Sequence, residues 1–368
     1  MLSVSHSSAT HILRRARQYQ WYWNNAFDPW STNDEQWQKF TDIENEIIED
    51  AYNEKRCTIE IDGDYIINFE CLLRYKKSNV ESSACPIKRI QFDKDRSHIH
   101  AREDRFLLPV TLVVPTDSYE HSQNVDEFDE LQRNGYITRS YWILELQSKK
   151  KTIADIVDDA AHGIITEGTA IDKIYEAQWI SQQLISVKDF GDNIDVNFIR
   201  HFPLQIGETC AYLYTKESFL YKLINRIFRN SSSITREQIQ NLGPFCWLLD
   251  WYLYDNSTRD IPIVYRSLDL TDQQRKEFMQ EIMKFTAFTS TTCNRSIAEF
   301  YDGNTLLIID LDQYESTVCG KNISSVSDFP EEEEFLIWPG RDFAFVKYEY
   351  DISKKKHMIY LKSLSWID

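Results

Sequence analysis

Apolar positions along this chain recur at two periods, and the switches between them mark out its parts. Ile43, Ile47, Ile48 and Ala51 fall at helical spacing with acids on the far side, which predicts an amphipathic helix. Residues 58–61 and 65–69 alternate as two strands about an Asp62-Gly63-Asp64 turn, and 86–92 predicts one more strand. From Thr152 to about Tyr254 the spacing is helical, through Ile153, Ile156, Val157 and Ala160, then Ile171, Ile174, Ala177 and Ile180. A strong stripe follows in Phe219, Leu220, Leu223, Ile224, Ile227 and Phe228, and Ser231–Ser233 breaks it. Thr235 with Gln238 forms a capping box for the next helix. Beyond Tyr254 strands return, over 262–267, 285–292, 305–310, 316–323, 333–338, 342–350 and 358–365, with helices over 272–284 and 296–301. Between the two helical blocks, 107–114 and 136–147 read as strands and 119–134 as an acidic loop or helix.

This pattern divides the chain into a flexible tail (1–17), a compact first unit (18–92), a charged linker (93–105), a connecting region without a motif (106–160) and a long second unit (161–368). Hydrophobic residues make up 42% of the chain and aromatic residues 14%, enough to fill cores in both units. The net charge of -17 argues against general nucleic-acid or anionic-membrane binding, which rests on clustered Lys and Arg. The seven cysteines are scattered without a C-x-x-C pair, so buried free thiols are expected rather than structural zinc. Arg14, Arg15 and Arg17 are followed by no apolar run, and nothing approaches transmembrane length. The expectation is a soluble, intracellular protein. No G-x-G-x-x-G occurs, so a Rossmann site is not supported.

Three islands of the second unit carry chemistry. Ile263–Ser267 is a strand ending in Arg266, and a guanidinium can clamp phosphate oxygens bidentately. Phe288–Thr292 is a strand of small hydroxyls, which can hold a carboxylate or a ribose. Phe329–Ile337 carries Glu332 and Glu334, two apart and so on one side of extended chain. One carboxylate can stabilise a cationic sugar while the other orients or deprotonates a nucleophile. Cation, hydroxyl and twin acid together suit the cleavage of a pyrophosphate-bearing nucleoside.

In order and spacing the islands resemble the R-S-E signature of arginine-specific mono-ADP-ribosyltransferases of the cholera-toxin-like branch, over about 205–350. Arg266 stands at the family's first-strand Arg, Ser290-Thr291-Thr292 at its S-T-S strand with Thr in the third place, and Glu332-Glu333-Glu334 at its E-x-E turn. Tyr214-Thr215, Tyr221, Asn225 and Arg229 match its helical lead-in. The resemblance implies a helical lobe plus a split β-sandwich, NAD as substrate rather than cofactor, no metal, and a protein acceptor with an exposed arginine. It implies NAD contacts at Arg266, Ser267, Ser290, Thr291 and Phe300, with Arg266, Ser290, Glu332 and Glu334 as the catalytic set. Water in place of the acceptor would make the protein an NAD glycohydrolase.

Residues 18–92 resemble a WWE domain, with Trp23, Trp37 and Glu49 as its namesakes and Ile48–Tyr52 as its diagnostic helix. That implies a half-barrel sheet around one helix, so the whole chain is expected to be α+β. Some members bind the iso-ADP-ribose unit of poly(ADP-ribose), and Tyr52, Tyr65 and Arg74 fall at pocket positions. Arg74 replaces the usual Gln, and Cys85 replaces a phosphate-pairing Arg. The domain is expected to recognise either ADP-ribose, on poly(ADP-ribose) or a modified protein, or another protein. In the alternative reading the whole chain is an ADP-ribose-reading adaptor with an inactive transferase domain.

Overall fold

The computed structural model describes residues 18–30, 36–91, 112–113, 137–147, 149–229, 234–255, 260–311 and 319–364. The expected tail, the charged linker, the 119–134 segment and the Ser231–Ser233 break lie outside these residues.

The first unit is a six-stranded antiparallel sheet with one long helix. Its strands are β1 (Tyr19–Asn24), β2 (Trp37–Lys39), β3 (Thr58–Ile61), β4 (Tyr65–Asn68), β5 (Leu73–Lys76) and β6 (Cys85–Gln91), in spatial order β2-β1-β6-β5-β4-β3. Helix α1 (Asp42–Asn53) starts at a capping box in which Thr41 and Glu44 satisfy each other's backbone N–H groups. A short helix α2 (Val80–Ser83) leads into β6. Trp21, Phe40, Ile48, Ile61, Ile67 and Ile87 close the core between helix and sheet.

The second unit begins with helix α3 (Ile137–Tyr141), which runs into a π-turn over Trp142–Leu146. The expected strand over 136–147 is therefore a helix. Its aromatic and β-branched residues favour extended chain locally, but Tyr141 packs its ring against Gly243, where a Cβ would collide with it. Then come α4 (Ile153–Ala170), α5 (Ile174–Ile185), α6 (Leu204–Thr215), α7 (Phe219–Arg229) and α8 (Arg236–Asp255). Thr152 and Asp155 cap α4 reciprocally, so the 160/161 boundary falls inside one continuous helix. Thr235 and Gln238 cap α8 as the sequence predicts. One large core joins all these helices.

The remaining strands are β7 (Leu112–Val113), β8 (Ile263–Leu268), β9 (Ile282–Phe285), β10 (Thr289–Thr292), β11 (Thr305–Asp310), β12 (Gly320–Asn322), β13 (Glu334–Ile337), β14 (Arg341–Asp351) and β15 (Lys356–Ser363). Two short helices, α9 (Asp272–Glu277) and α10 (Arg295–Phe300), interrupt them. The expected 285–292 strand is two strands with different partners: β9 pairs with β14, and β10 pairs with β13 and β8. The nine strands run in the order β12-β13-β10-β8-β11-β15-β14-β9-β7. A flat sheet would place β13 and β14 about 24 Å apart, at five strand spacings. Only Trp338, Pro339 and Gly340 join them, a span of at most about 15 Å. The sheet must therefore fold over on itself, which makes it a split sandwich. Phe335, Ile337, Met283, Phe285 and Phe343 share its interior. The connecting segment belongs here too, since β7 pairs with β9.

The first unit is docked on the helical lobe. Ile43 of α1 sits in the lobe's core, while Ile48 one turn on sits in its own. Asp62, in the β3–β4 turn, accepts from the backbone N–H groups of Tyr175 (2.8 Å) and Glu176 (3.0 Å). It thereby caps α5, whose own N-cap residue Lys173 makes no side-chain cap bond. Among the described residues no helix is long and apolar enough to cross a membrane.

Candidate active site

Backbone pairing brings the three islands onto neighbouring strands, in the order β13-β10-β8. β10 pairs with β13 through Ser290↔Leu336, Thr291↔Phe335 and Thr292↔Glu334, and with β8 through Thr292↔Tyr265. Arg266, Ser290, Glu332 and Glu334 are all at most 4% exposed, a clustering of polar groups that a core tolerates only for a reason.

Arg266 lies nearly enclosed and its Nη1 donates to the Ser290 carbonyl at 2.5 Å. A residue read as a phosphate clamp thus also ties β8 to β10.

The acidic segment is not extended, contrary to expectation. Pro330–Glu332 forms a 3-10 turn, and Glu333 is left-handed at φ 46°, ψ 46°, unusual for a residue with a side chain. The result for burial is what extended chain would give, reached through a turn: Glu332 and Glu334 are buried, and Glu331 and Glu333 exposed. Two contacts hold the turn from outside. Cys293 N donates to Glu333 O (3.0 Å), and Asn294 Nδ2 donates to the Glu333 carboxylate (3.0 Å). Burial, with Glu333 beside it, pushes the Cys293 thiol up to about 12, so it is no nucleophile at neutral pH.

Adjacent strand residues face opposite ways, and this separates the hydroxyls. Ser290 and Thr292 share the Glu334–Leu336 face, whereas Thr291 faces with Phe335 and donates its Oγ1 proton to the Phe335 carbonyl at 2.7 Å. Ser290 thus shares its face with Thr292 rather than with Thr291. Thr292 was readable from strand alternation alone. Ser267 is fully buried; it donates to the Tyr301 carbonyl at 3.1 Å and pins α10 against β8. Gly303 approaches the same hydroxyl so closely that a Cβ would meet it.

Phe300 ends α10 with 58% of its surface exposed, beside buried Tyr301, whose hydroxyl lies 3.5 Å from the Glu332 carboxylate. Sequence reasoning missed Tyr301, because a buried tyrosine carries no motif. From the helical lobe, Asn225 donates to the Tyr214 hydroxyl (3.1 Å), and the Tyr214 ring packs edge-on against Tyr221 and Phe288. These lead-in residues therefore brace the segment entering β10. The Arg229 side chain lies outside the described residues.

In the first unit the three expected pocket residues do not form one group. The Arg74 guanidinium lies over Tyr65 (3.5 Å to the ring centroid) and Trp23 (4.0 Å). Tyr52 packs instead with Trp21 and Phe69, and with the guanidinium of Arg89. Glu49 accepts from Trp21 Nε1 (2.9 Å) and from Arg89. Lys88 stands over Trp37 at 3.8 Å. All seven cysteines are free, and Cys57 and Cys71 are exposed rather than buried.

Residues 203–366 match the sequence profile of the family described as NAD:arginine ADP-ribosyltransferase, and residues 19–89 match that of the WWE domain. No curated protein matches the chain. Among solved structures, the type III effector XopAI from Xanthomonas axonopodis pv. citri is 14% identical, with 66% of this chain and 95% of that chain covered and a TM-score of 0.44. The ADP-ribosyltransferase HopU1 of Pseudomonas syringae pv. Tomato DC3000 is 17% identical, with 64% and 97% covered and a TM-score of 0.37. Exoenzyme S from Pseudomonas aeruginosa is 13% identical, with 56% and 88% covered and a TM-score of 0.37.

Proposed function

Because the chain carries a WWE domain followed by an ADP-ribosyltransferase domain, which uses NAD, we propose that it transfers ADP-ribose from NAD to arginine side chains of an acceptor protein and releases nicotinamide. The observation that carries this reading is the twin acid: Glu332 and Glu334, both buried, beside strands that bear Arg266 and Ser290.

In this mechanism Glu334 accepts from the ribose 2′-hydroxyl and stabilises positive charge at C1′ as the C1′–nitrogen bond breaks. The bonding pair leaves with nicotinamide. Glu332 binds the acceptor guanidinium and takes the proton lost when its nitrogen bonds to C1′. A guanidinium is too weak an acid to lose that proton unaided, so arginine chemistry needs this second carboxylate. Ser290 holds the ribose, Thr292 steadies Glu334, and Phe300 offers an exposed ring to the nicotinamide. Arg266 fixes β10 and supplies positive charge for the pyrophosphate. NAD serves as substrate.

The WWE domain acts in this reading as a protein-docking module. Arg74 already stacks against Trp23 and against Tyr65, one of the expected pocket residues. The test of the main reading is mass spectrometry after incubation with NAD and an arginine-containing acceptor. ADP-ribose on a guanidinium supports it; NAD consumption with no modified side chain leaves only the glycohydrolase.

A further inference from the structure

We propose, building on the reaction above, that the WWE domain is a structural arm of the active site: Glu46 and Asp42 on α1 hold the 216–218 linker, and Lys216 carries that hold to Asp328, at the root of the turn that presents Glu332.

Lys216 is completely buried. Its ammonium is 3.0 Å from Glu46 Oε1 in the WWE domain and 3.2 Å from Asp328 Oδ2 in the catalytic domain. The second contact is off the line of a hydrogen bond and is a charge pair. Asp328 is itself 3% exposed at its side chain. A buried ammonium is tolerable only while its partners stay in place, so these three charges move together or not at all.

The same few residues are held at further points. The Glu217 backbone N donates to Asp42 Oδ2 at 2.7 Å. The Asp328 backbone N donates to Thr215 Oγ1 at 3.2 Å, on the last turn of α6. Phe329 follows directly, and its carbonyl accepts from Glu332 N at 3.1 Å, closing the turn. A hold that begins on the WWE helix therefore ends four residues before Glu332. Glu176 adds a second line, since its carboxylate accepts from Phe219 N (3.2 Å) at the start of α7, while Asp62 caps its own helix. Lys216, Glu46 and Asp328 are positioning residues: they act through the turn.

The experiment uses the full-length protein carrying Glu46→Gln, with Asp328→Asn as a second, independent variant. Hydrogen exchange is followed in the peptide over 326–334, alongside steady-state kinetics with agmatine. We expect exchange there about threefold faster or more than in wild type, with β1 and β6 of the WWE sheet unchanged. We expect the agmatine KM to rise about fivefold, with NAD hydrolysis falling much less, because the acceptor carboxylate is displaced more than the NAD-facing one. Glu46→Asp should restore part of both. Wild-type exchange over 326–334 in both variants overturns the inference. A wild-type protein that consumes no NAD overturns the proposed reaction instead, and the exchange measurement still decides this one.

Discussion

Thr292 stands directly opposite Glu334 in the β10–β13 pair, and both side chains are fully buried. Paired residues in antiparallel strands share a face. A hydroxyl at this point can therefore hold the carboxylate in one orientation, while its neighbour Thr291 is turned away and bound to the Phe335 carbonyl. Thr292→Val should lower kcat/KM for NAD by about tenfold and, because the same buried hydroxyl accepts from Asn294 N at 3.1 Å, should also cost about 1 kcal/mol of stability. Thr291→Val should cost about 1 kcal/mol of stability and leave kcat/KM near wild type. Urea unfolding and NAD kinetics on the pair check both; the reverse assignment would mean the strand is flipped.

The two acids should separate chemically. Glu334→Gln is expected to abolish both transfer and NAD hydrolysis, a loss of about 10²-fold or more. Glu332→Gln should lose agmatine labelling while retaining hydrolysis. Nicotinamide release measured with and without agmatine distinguishes them, and intact agmatine labelling in Glu332→Gln would remove the role given to Glu332.

Arg74→Ala should open the Trp23–Tyr65 face. We expect titration calorimetry with an iso-ADP-ribose ligand to show no heat of binding for wild type, because Arg74 already covers both rings. Saturable binding by wild type would restore the ADP-ribose-reading role.

Asp62 and Glu49 should give opposite pH dependences. Burial pushes the Asp62 carboxyl above its ordinary 3.8, outweighing the Tyr175 and Glu176 N–H groups that favour its charge. A carboxyl with a raised folded value binds its proton more tightly folded than unfolded. Its contribution is complete below 3.8 and is lost as pH rises through the raised value. For Glu49 burial pulls the same way, but the Arg89 and Trp21 hydrogen bonds win and hold it below its ordinary 4.5. Its contribution is present above 4.5 and is lost as pH falls through the depressed value. Thermal unfolding from pH 3 to 7, compared with Asp62→Asn and Glu49→Gln, should show the wild-type advantage shrinking with rising pH in the first case and growing in the second.

Asp62 also offers a test of docking. Asp62→Ala leaves the first turn of α5 without its cap and should lower stability by about 1 kcal/mol. Because the cap comes from the other domain, the loss should appear in the unfolding of the helical lobe, read by near-ultraviolet circular dichroism of its buried Trp247.

Local pattern alone settled a good deal. The helix through Ile43–Ala51, the β3–β4 hairpin, the capping box of Thr235 with Gln238 and the stripe of α7 all follow from periodicity and short-range side-chain bonds. Capping residues act within one turn of helix, so neighbours in sequence suffice to identify them. The pairing of Glu332 with Glu334 was legible as a motif, although its geometry was not. What the sequence could not supply was set by contacts between distant segments. Tyr136–Gln147 has the composition of a strand, and packing against Gly243 makes most of it a helix. Thr286–Phe288 breaks one apparent strand into two because β9 and β10 have partners on different parts of the folded sheet. Lys216 has no local signal at all, being one lysine in a polar linker. Only the folded chain puts it between Glu46, 170 residues earlier, and Asp328, where loss of solvent makes the side chain depend on carboxylates from both domains.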